Sequence, residues 1–344
     1  MISGAPLNGC FTNIRISAVA ASVPSAVVRN EVFIARQGEE TVRKFEKMAG
    51  VLERRHRKSA TTRILACDAA VGLRESGAWT PEDVDACLFV SQTPDYRLPA
   101  TACALQADLG LRRDCVAFDV SLGCSGFVYG IYVASCLLKS GGCRRVLLSG
   151  GDCISSIVRP GDCANLMLFG DAGFAAVLER DEGEGQGIPY LFGTNGAGCA
   201  AIHSLGGGIA KSICGKDISD GFLNMDGPEV FNFTISSIPQ AVKDFCSSSG
   251  QELSGFDHFA FHQANRFILK QIAMLAGFPF AKHLLSIDRY GNTSSASIPL
   301  TLCVNRANAA GKTMMCGFGV GLSWGVLSYD FSDTKILDVR VVDD

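Results

Sequence analysis

Three residues far apart in this 344-residue chain have the types and settings for thioester chemistry. Cys124 lies in Phe118-Asp-Val-Ser-Leu-Gly-Cys124-Ser-Gly-Phe127, a strand-like run, a glycine turn and a small-residue start to a long apolar stretch. His262 lies in Phe261-His-Gln-Ala-Asn265 and Asn292 in Asp288-Arg-Tyr-Gly-Asn-Thr293, each also ending a strand-like run. A thiolate is the nucleophilic form of cysteine. At the start of a helix its sulfur meets unpaired N–H groups and the positive end of the helix dipole, both of which favour the thiolate. Gly123 and Gly126 admit a narrow ligand. The same geometry suits an oxyanion hole, with the Cys124 backbone N–H as one donor and the loop Gly317-Phe-Gly-Val-Gly321 as the source of the other. A neutral His262 N–H and the Asn292 amide read as hydrogen-bond donors to a thioester carbonyl, able to stabilise the negative charge of an enolate.

The elements that must position these residues follow from the hydrophobic pattern. Short apolar runs alternate with amphipathic segments throughout, as in an α/β protein with largely buried strands. The pattern predicts strands over 14–20, 86–91, 115–120, 145–148, 175–178, 258–261, 284–287, 313–316 and 325–329. It predicts helices over 39–49, 64–75, 100–109, 125–139, 228–247, 266–276 and 295–309. The polar, glycine-rich stretch Arg180-Asp-Glu-Gly-Glu-Gly-Gln-Gly187 divides the chain into halves 1–180, with the Cys, and 181–344, with the His and Asn. The halves read as one unit repeated. In the first, Phe89-Val-Ser-Gln92 leads through a helix, a turn at Leu109-Gly110 and a strand to Gly123-Cys124. In the second, Phe259-Ala-Phe-His-Gln263 leads through a helix, Ala276-Gly277 and a strand to Gly291-Asn292. Ser149-Gly-Gly151 begins 25 positions after Cys124, and Gly317-Phe-Gly319 begins 25 after Asn292. Cys124 and Asn292 therefore occupy equivalent places, and a pseudo-dyad relating the two copies brings both to one central site.

Composition excludes several function classes. At 47% hydrophobic and 19% charged residues the chain is a well-buried globular protein. A net charge of -3 gives no electrostatic grip on nucleic acid or an anionic membrane. No apolar run is long enough to span a bilayer, and the first residues lack the basic segment and apolar core of a secretory signal, so a cytoplasmic protein is expected. The 15 cysteines are odd in number, irregularly spaced and without a Cys-x-x-Cys. That pattern points to reduced thiols, most of them small core hydrophobes, rather than zinc ligands or a disulfide framework. Neither Gly206-Gly-Gly208 nor Gly317-Phe-Gly-Val-Gly321 forms a dinucleotide fingerprint. The charged stretch 43–57 reads as a solvated helix and loop.

Over almost its whole length the chain resembles β-ketoacyl-acyl carrier protein synthase III, a family of thiolase-fold condensing enzymes. The resemblance rests on Gly123-Cys124-Ser-Gly-Phe127, Leu168-Phe-Gly-Asp-Ala-Gly173, His262-Gln-Ala-Asn265, Gly291-Asn-Thr293 and Gly317-Phe-Gly-Val-Gly-Leu-Ser-Trp-Gly325. It implies a five-layered αβαβα thiolase fold built from two duplicated halves, and a homodimer. It implies an acyltransferase of fatty acid biosynthesis: Cys124 takes an acyl group from a thioester, and decarboxylated malonyl-acyl carrier protein attacks it to give a 3-oxoacyl-acyl carrier protein. Cys124, His262 and Asn292 are then catalytic, and the backbone N–H groups of Cys124 and Val320 hold the acyl oxyanion. Acyl carrier protein and acyl thioesters are the implied partners, and no cofactor or metal is implied. Val320 stands where a glycine is usual in the family.

Other departures bear on the substrate. Members that prime with acetyl-CoA sandwich the adenine between a Trp and an Arg; those positions fall on Lys44 and Cys163, and a second CoA-gripping Arg on Met48. This favours a carrier-bound acyl donor. The Phe that caps the acyl pocket from the partner subunit aligns with Leu98, which points to an acyl group longer or bulkier than acetyl. The carrier-docking Arg is Phe267 here, with Arg266 and Lys270 beside it either as replacement cations or as an ordinary solvated helix face. Two other readings stand beside condensation: an acyltransferase of the same fold that forms no carbon–carbon bond, in secondary metabolism, and a non-catalytic partner subunit. Aldol condensation as in hydroxymethylglutaryl-CoA synthase needs a Glu about where Gln92 stands, and an amide cannot transfer that proton.

Overall fold

Alternation along the strands decides the layering. In Ala86–Val90, Leu88 and Val90 pack toward a central core while Cys87 and Phe89 pack into an outer one; in Lys312–Gly319, Met315 points centrally and Met314 and Cys316 outward. Strands buried on both faces in this way need helices on both sides. The computed structural model describes residues 6–343 apart from 182, 184, 185, 207, 218 and 219. The 180–187 linker and the 206–208 glycine run thus lie partly outside the described residues.

A seven-stranded sheet has the order Lys335–Ile336, Ile14–Pro24, Asp171–Arg180, Arg145–Cys153, Ala86–Val90 and Val116–Val120, with Arg340–Val342 also paired to Ile14–Pro24. A five-stranded sheet has the order Leu7–Phe11, Ile188–Thr194, Ser323–Asp330, Lys312–Gly319 and His258–Phe261. Ala86–Val90 runs parallel to Arg145–Cys153, which is antiparallel to Asp171–Arg180. His258–Phe261, Lys312–Gly319 and Ser323–Asp330 repeat that arrangement, so the two sheets are copies of one unit. Each chain end is stitched to the opposite copy: Leu7–Phe11 pairs with Ile188–Thr194, and the two C-terminal strands pair with Ile14–Pro24.

Helices Gly126–Lys139 and Ser297–Val304 fill the space between the sheets, contributing Phe127, Val128, Ile131, Ile298, Leu300 and Leu302 to the central core. Ser297–Val304 is buried almost all round, as a helix between two sheets must be. Thr62–Glu75 and Thr101–Asp108 cover the outer face of the first sheet. Gly227–Ser249 and Arg266–Ala276 cover that of the second. The result is the αβαβα thiolase fold.

Several expectations need correction. The segment 284–287 forms no strand: His283 makes one bridge to Phe259, and Ile287–Tyr290 is a helical turn. The Ser286 N–H donates to Gln263 Oε1 and its hydroxyl pairs with Thr301, so side chains take the place of a sheet ladder. The last helix is shorter than 295–309, because Asn305 Nδ2 donates to the Thr301 and Leu285 carbonyls and closes its end. The stretch 43–57 is not solvated throughout. Arg54 is fully buried, donating to Asn30 Oδ1 and to the carbonyls of Met167 and Val28, and burial pushes its pKa down to about 10. Cys199 and Cys214 form a disulfide rather than two reduced thiols; the other 13 cysteines are free. Among the described residues no helix is long and apolar enough to cross a membrane, and no group of side chains is suited to a metal.

Candidate active site

Glycines make the close approach at Cys124 possible. The residue sits just before the helix Gly126–Lys139, where the loop from Val116–Val120 enters the centre of the molecule. A Cβ on Gly126 would fall 2.6 Å from a Val90 methyl, and one on Gly317 would fall 2.8 Å from the Ser125 Cα. Gly319, at φ +151°, packs directly on the nucleophile: a Cβ there would lie 2.7 Å from the Cys124 Cβ and 3.0 Å from its sulfur. The end of a second-half strand can touch a first-half helix start only without a side chain between them.

Cys124 is 9% exposed, and its Sγ lies 3.9 Å from the Ser294 hydroxyl. Burial pushes the thiol up to about 11. The Ser294 hydroxyl and the backbone N–H groups of Val320 and Cys124 pull the other way, while the nearby Asp152 carboxylate adds to the rise. Burial thus raises the thiol above the ordinary cysteine value, against the lowering expected from a helix start.

His262 follows His258–Phe261 at the equivalent strand end of the second half, its N–H donating to the Cys316 carbonyl at 2.8 Å. Its ring is buried, edge-on to Phe318, with Nδ1 2.8 Å from the Ser297 hydroxyl. Burial pushes its pKa down to about 3, so the imidazole is neutral at physiological pH; a hydrogen bond with the Ser294 backbone opposes this in part. Asn292 is docked on the first half by its backbone, donating to Leu168 O at 2.9 Å and accepting from Gly170 N at 3.0 Å. Its Oδ1 accepts from the Ser294 N–H at 2.9 Å, which orients the amide and leaves Nδ2 as the donor end.

Asp152 joins the halves and was not recognised in the sequence. Fully buried, it accepts through Oδ1 from Ser91 Oγ, the backbone N–H groups of Gln92 and Thr93, and Thr93 Oγ1. Through Oδ2 it accepts from the N–H and hydroxyl of Ser295. These donors compensate its desolvation without a cation, although burial still raises its pKa. Ser294, at φ +51°, was missed as well. A serine-rich run after Gly291-Asn292 was the only signal for either.

Cys124, His262 and Asn292 line one cavity of about 110 Å³, whose remaining walls are largely apolar, including Ile154, Phe169, Ile202, Leu223 and Met225. Models of 3-oxoacyl-[acyl-carrier-protein] synthase III match residues 118–201, and of its C-terminal part residues 246–331. A Clostridium tetani protein named β-ketoacyl-[acyl-carrier-protein] synthase III is 32% identical over 288 residues, covering 80% of this chain and 86% of that one. The chain belongs to the 3-oxoacyl-[acyl-carrier-protein] synthase III family. A synthase III from Streptococcus pneumoniae is 31% identical over 319 residues, covering 91% and 98%. The crystal structure of a 3-oxoacyl-(acyl-carrier protein) synthase from Burkholderia xenovorans LB400 superposes with a TM-score of 0.91 at 36% identity, covering 98% of this chain and 99% of that one.

Other positions singled out by likeness to synthase III lie at varied places. Val320 lines the cavity, and its backbone N–H lowers the pKa of the Cys124 thiol. Arg266 and Lys270 are exposed on Arg266–Ala276, without ion pairs among the described residues; Lys270 Nζ sits 5.8 Å from the Phe280 ring. Phe267 stacks on Phe231 and is 42% exposed. Leu98 is 80% exposed and away from this chain's own cavity wall. Lys44 is exposed and paired with Glu40, Met48 is exposed, and Cys163 is buried against Phe33, Val42 and Met167.

Proposed function

We propose that this protein is a β-ketoacyl-acyl carrier protein synthase III acting by ping-pong acyl transfer and decarboxylative Claisen condensation. The observation that carries the reading is the convergence of Cys124, His262 and Asn292 on one largely apolar cavity from both halves of the fold. In the first stage the Cys124 sulfur bonds to the acyl carbon of a thioester, and the donor thiol leaves with the proton that Cys124 gave up. The backbone N–H groups of Cys124 and Val320 hold the oxyanion. A resting thiol protects the free enzyme, and deprotonation accompanies donor binding.

In the second stage the malonyl carbon–carbon bond breaks and CO₂ leaves. The electron pair stays on the thioester as an enolate, which attacks the acyl carbon and expels the Cys124 sulfur. Asn292 Nδ2 and the His262 ring N–H donate to the enolate oxygen. His262 Nδ1 lies 2.8 Å from the Ser297 hydroxyl; in the tautomer where that hydroxyl donates to Nδ1, the ring proton sits at Nε2 and serves the enolate. A neutral imidazole suits this work, since no base is needed to remove CO₂.

Acyl carrier protein docks at the Arg266 and Lys270 face, and the donor is carrier-bound, because Lys44, Met48 and Cys163 offer no stacking pair for adenine. In a cytoplasmic homodimer, Leu98 caps the partner's acyl pocket. No cofactor takes part. Intact-mass analysis after incubation with acyl-CoA and acyl-carrier protein donors, followed by product analysis with malonyl-acyl carrier protein, tests the reading. An adduct on wild type and none on Cys124→Ser, with a 3-oxoacyl product, supports it. An adduct released without carbon–carbon bond formation moves the protein to acyl transfer, and no adduct from any donor moves it to a non-catalytic subunit.

A further inference from the structure

One polar group in the cavity has no part in the chemistry above. Gln92 follows Ala86–Val90 and is held by its backbone N–H, which donates to Asp152 Oδ1 at 2.7 Å. Its side chain lines the same cavity as Cys124 and lies over Gly123: a Cβ on Gly123 would fall 1.7 Å from Gln92 Oε1 and 2.2 Å from its Cδ. The amide thus fills the space of a side chain one residue before the nucleophile. Each other polar side chain of the lining outside that chemistry has at least one contact within the protein. Thr234 Oγ1 donates to Val230 O at 2.8 Å, Asn265 Oδ1 accepts from Ile268 N at 2.7 Å, and Ser294 contacts Cys124. Neither end of the Gln92 amide has a hydrogen-bond partner among the described residues. A plain alkyl chain entering this cavity would displace water from both ends of the amide and return no hydrogen bond.

We propose that Gln92 selects the acyl group, its amide pairing with a hydroxyl within the first few carbons of the chain carried by Cys124. The favoured donor is then a short hydroxyacyl thioester rather than an alkanoyl one. A hydroxyl serves both ends of the amide, accepting from Nε2–H and donating to Oε1, whereas a keto oxygen can only accept. The inference rests on the proposed function and names the substrate class of that site.

The test is a competition between 3-hydroxybutyryl and butyryl thioesters, as acyl-carrier protein and as CoA derivatives, with Cys124 adducts quantified by intact mass. Wild type is expected to load hydroxybutyryl in about tenfold or greater excess, because a site built to pair a hydroxyl rejects the analogue lacking it. Gln92→Met, close in shape, brings the ratio to about one or reverses it, since the thioether offers no donor. Equal or preferential loading of butyryl by wild type overturns the inference alone. So does a hydroxyl preference that survives in Gln92→Met. Absence of both adducts from wild type, while another acyl donor loads Cys124, overturns the inference alone; absence of an adduct from every donor overturns the proposed function and this inference with it. The wild-type ratio needs no variant, so the inference can be refuted even if Gln92→Met does not fold.

Discussion

Cys124, His262 and Asn292, which line the cavity, and Asp152 beside them are all buried, each held by a hydrogen bond that crosses between the halves or locks a strand end. At the start of Arg266–Ala276 the wall turns outward within a few residues: Asn265 and Ile268 line the cavity, while Arg266, Phe267 and Lys270 face out. The two regions differ in what a charge or a dipole is worth. Inside, water is excluded, so a single amide acts at close to full strength and a thiol cannot ionise freely. Outside, water and salt screen each cation, and only several together affect a partner.

Substitutions test that contrast, beginning where the effect is greatest. Cys124→Ala is expected to abolish acyl-enzyme formation and lower condensation by at least about 10³-fold, while thermal unfolding shows the fold intact. Retained turnover would remove Cys124 from the chemistry. Asn292→Ala should lower malonyl decarboxylation by about 10²–10³-fold, the range for loss of one oxyanion donor, with Cys124 still acylated. Equal loss in both stages would make Asn292 a structural residue.

The pH dependence of Cys124 sharpens the comparison further. A thiol pushed up to about 11 is protonated at neutral pH. Its alkylation by iodoacetamide, read as wild type minus Cys124→Ala, should therefore rise about tenfold per pH unit from 7 to 9 without a plateau. A plateau below pH 9 would mean a resting thiolate. The His262 ring, held down to about 3, should add no inflection between pH 5 and 9. The smallest effect belongs to the outer face: Arg266→Glu with Lys270→Glu should raise KM for malonyl-acyl carrier protein about tenfold at low salt, with kcat little changed. The same loss with a small soluble thioester would place the defect inside the cavity.

Legibility follows the same line. Strands such as His258–Phe261 and helices such as Glu39–Ala49 were readable to the residue, because burial on fixed faces imposes a period on the sequence. The segment 284–287 misled because its apolar residues pack beside a strand, while its backbone bonds to Gln263 rather than to a neighbouring strand. Arg54 misled because a charge run reads as solvated, and only tertiary contacts reveal carbonyls waiting for a guanidinium.

The sequence alone determined the α/β class, the duplication, and the candidacy of Cys124, His262 and Asn292, since these depend on residue type, order and spacing. The three-dimensional structure alone decided that Asp152 joins the halves, that Gln92 stands over Gly123 with a free amide, and that burial raises the pKa of the Cys124 thiol. Each of those depends on how much water reaches an atom and which donors converge on it, and both are set by residues distant in the chain.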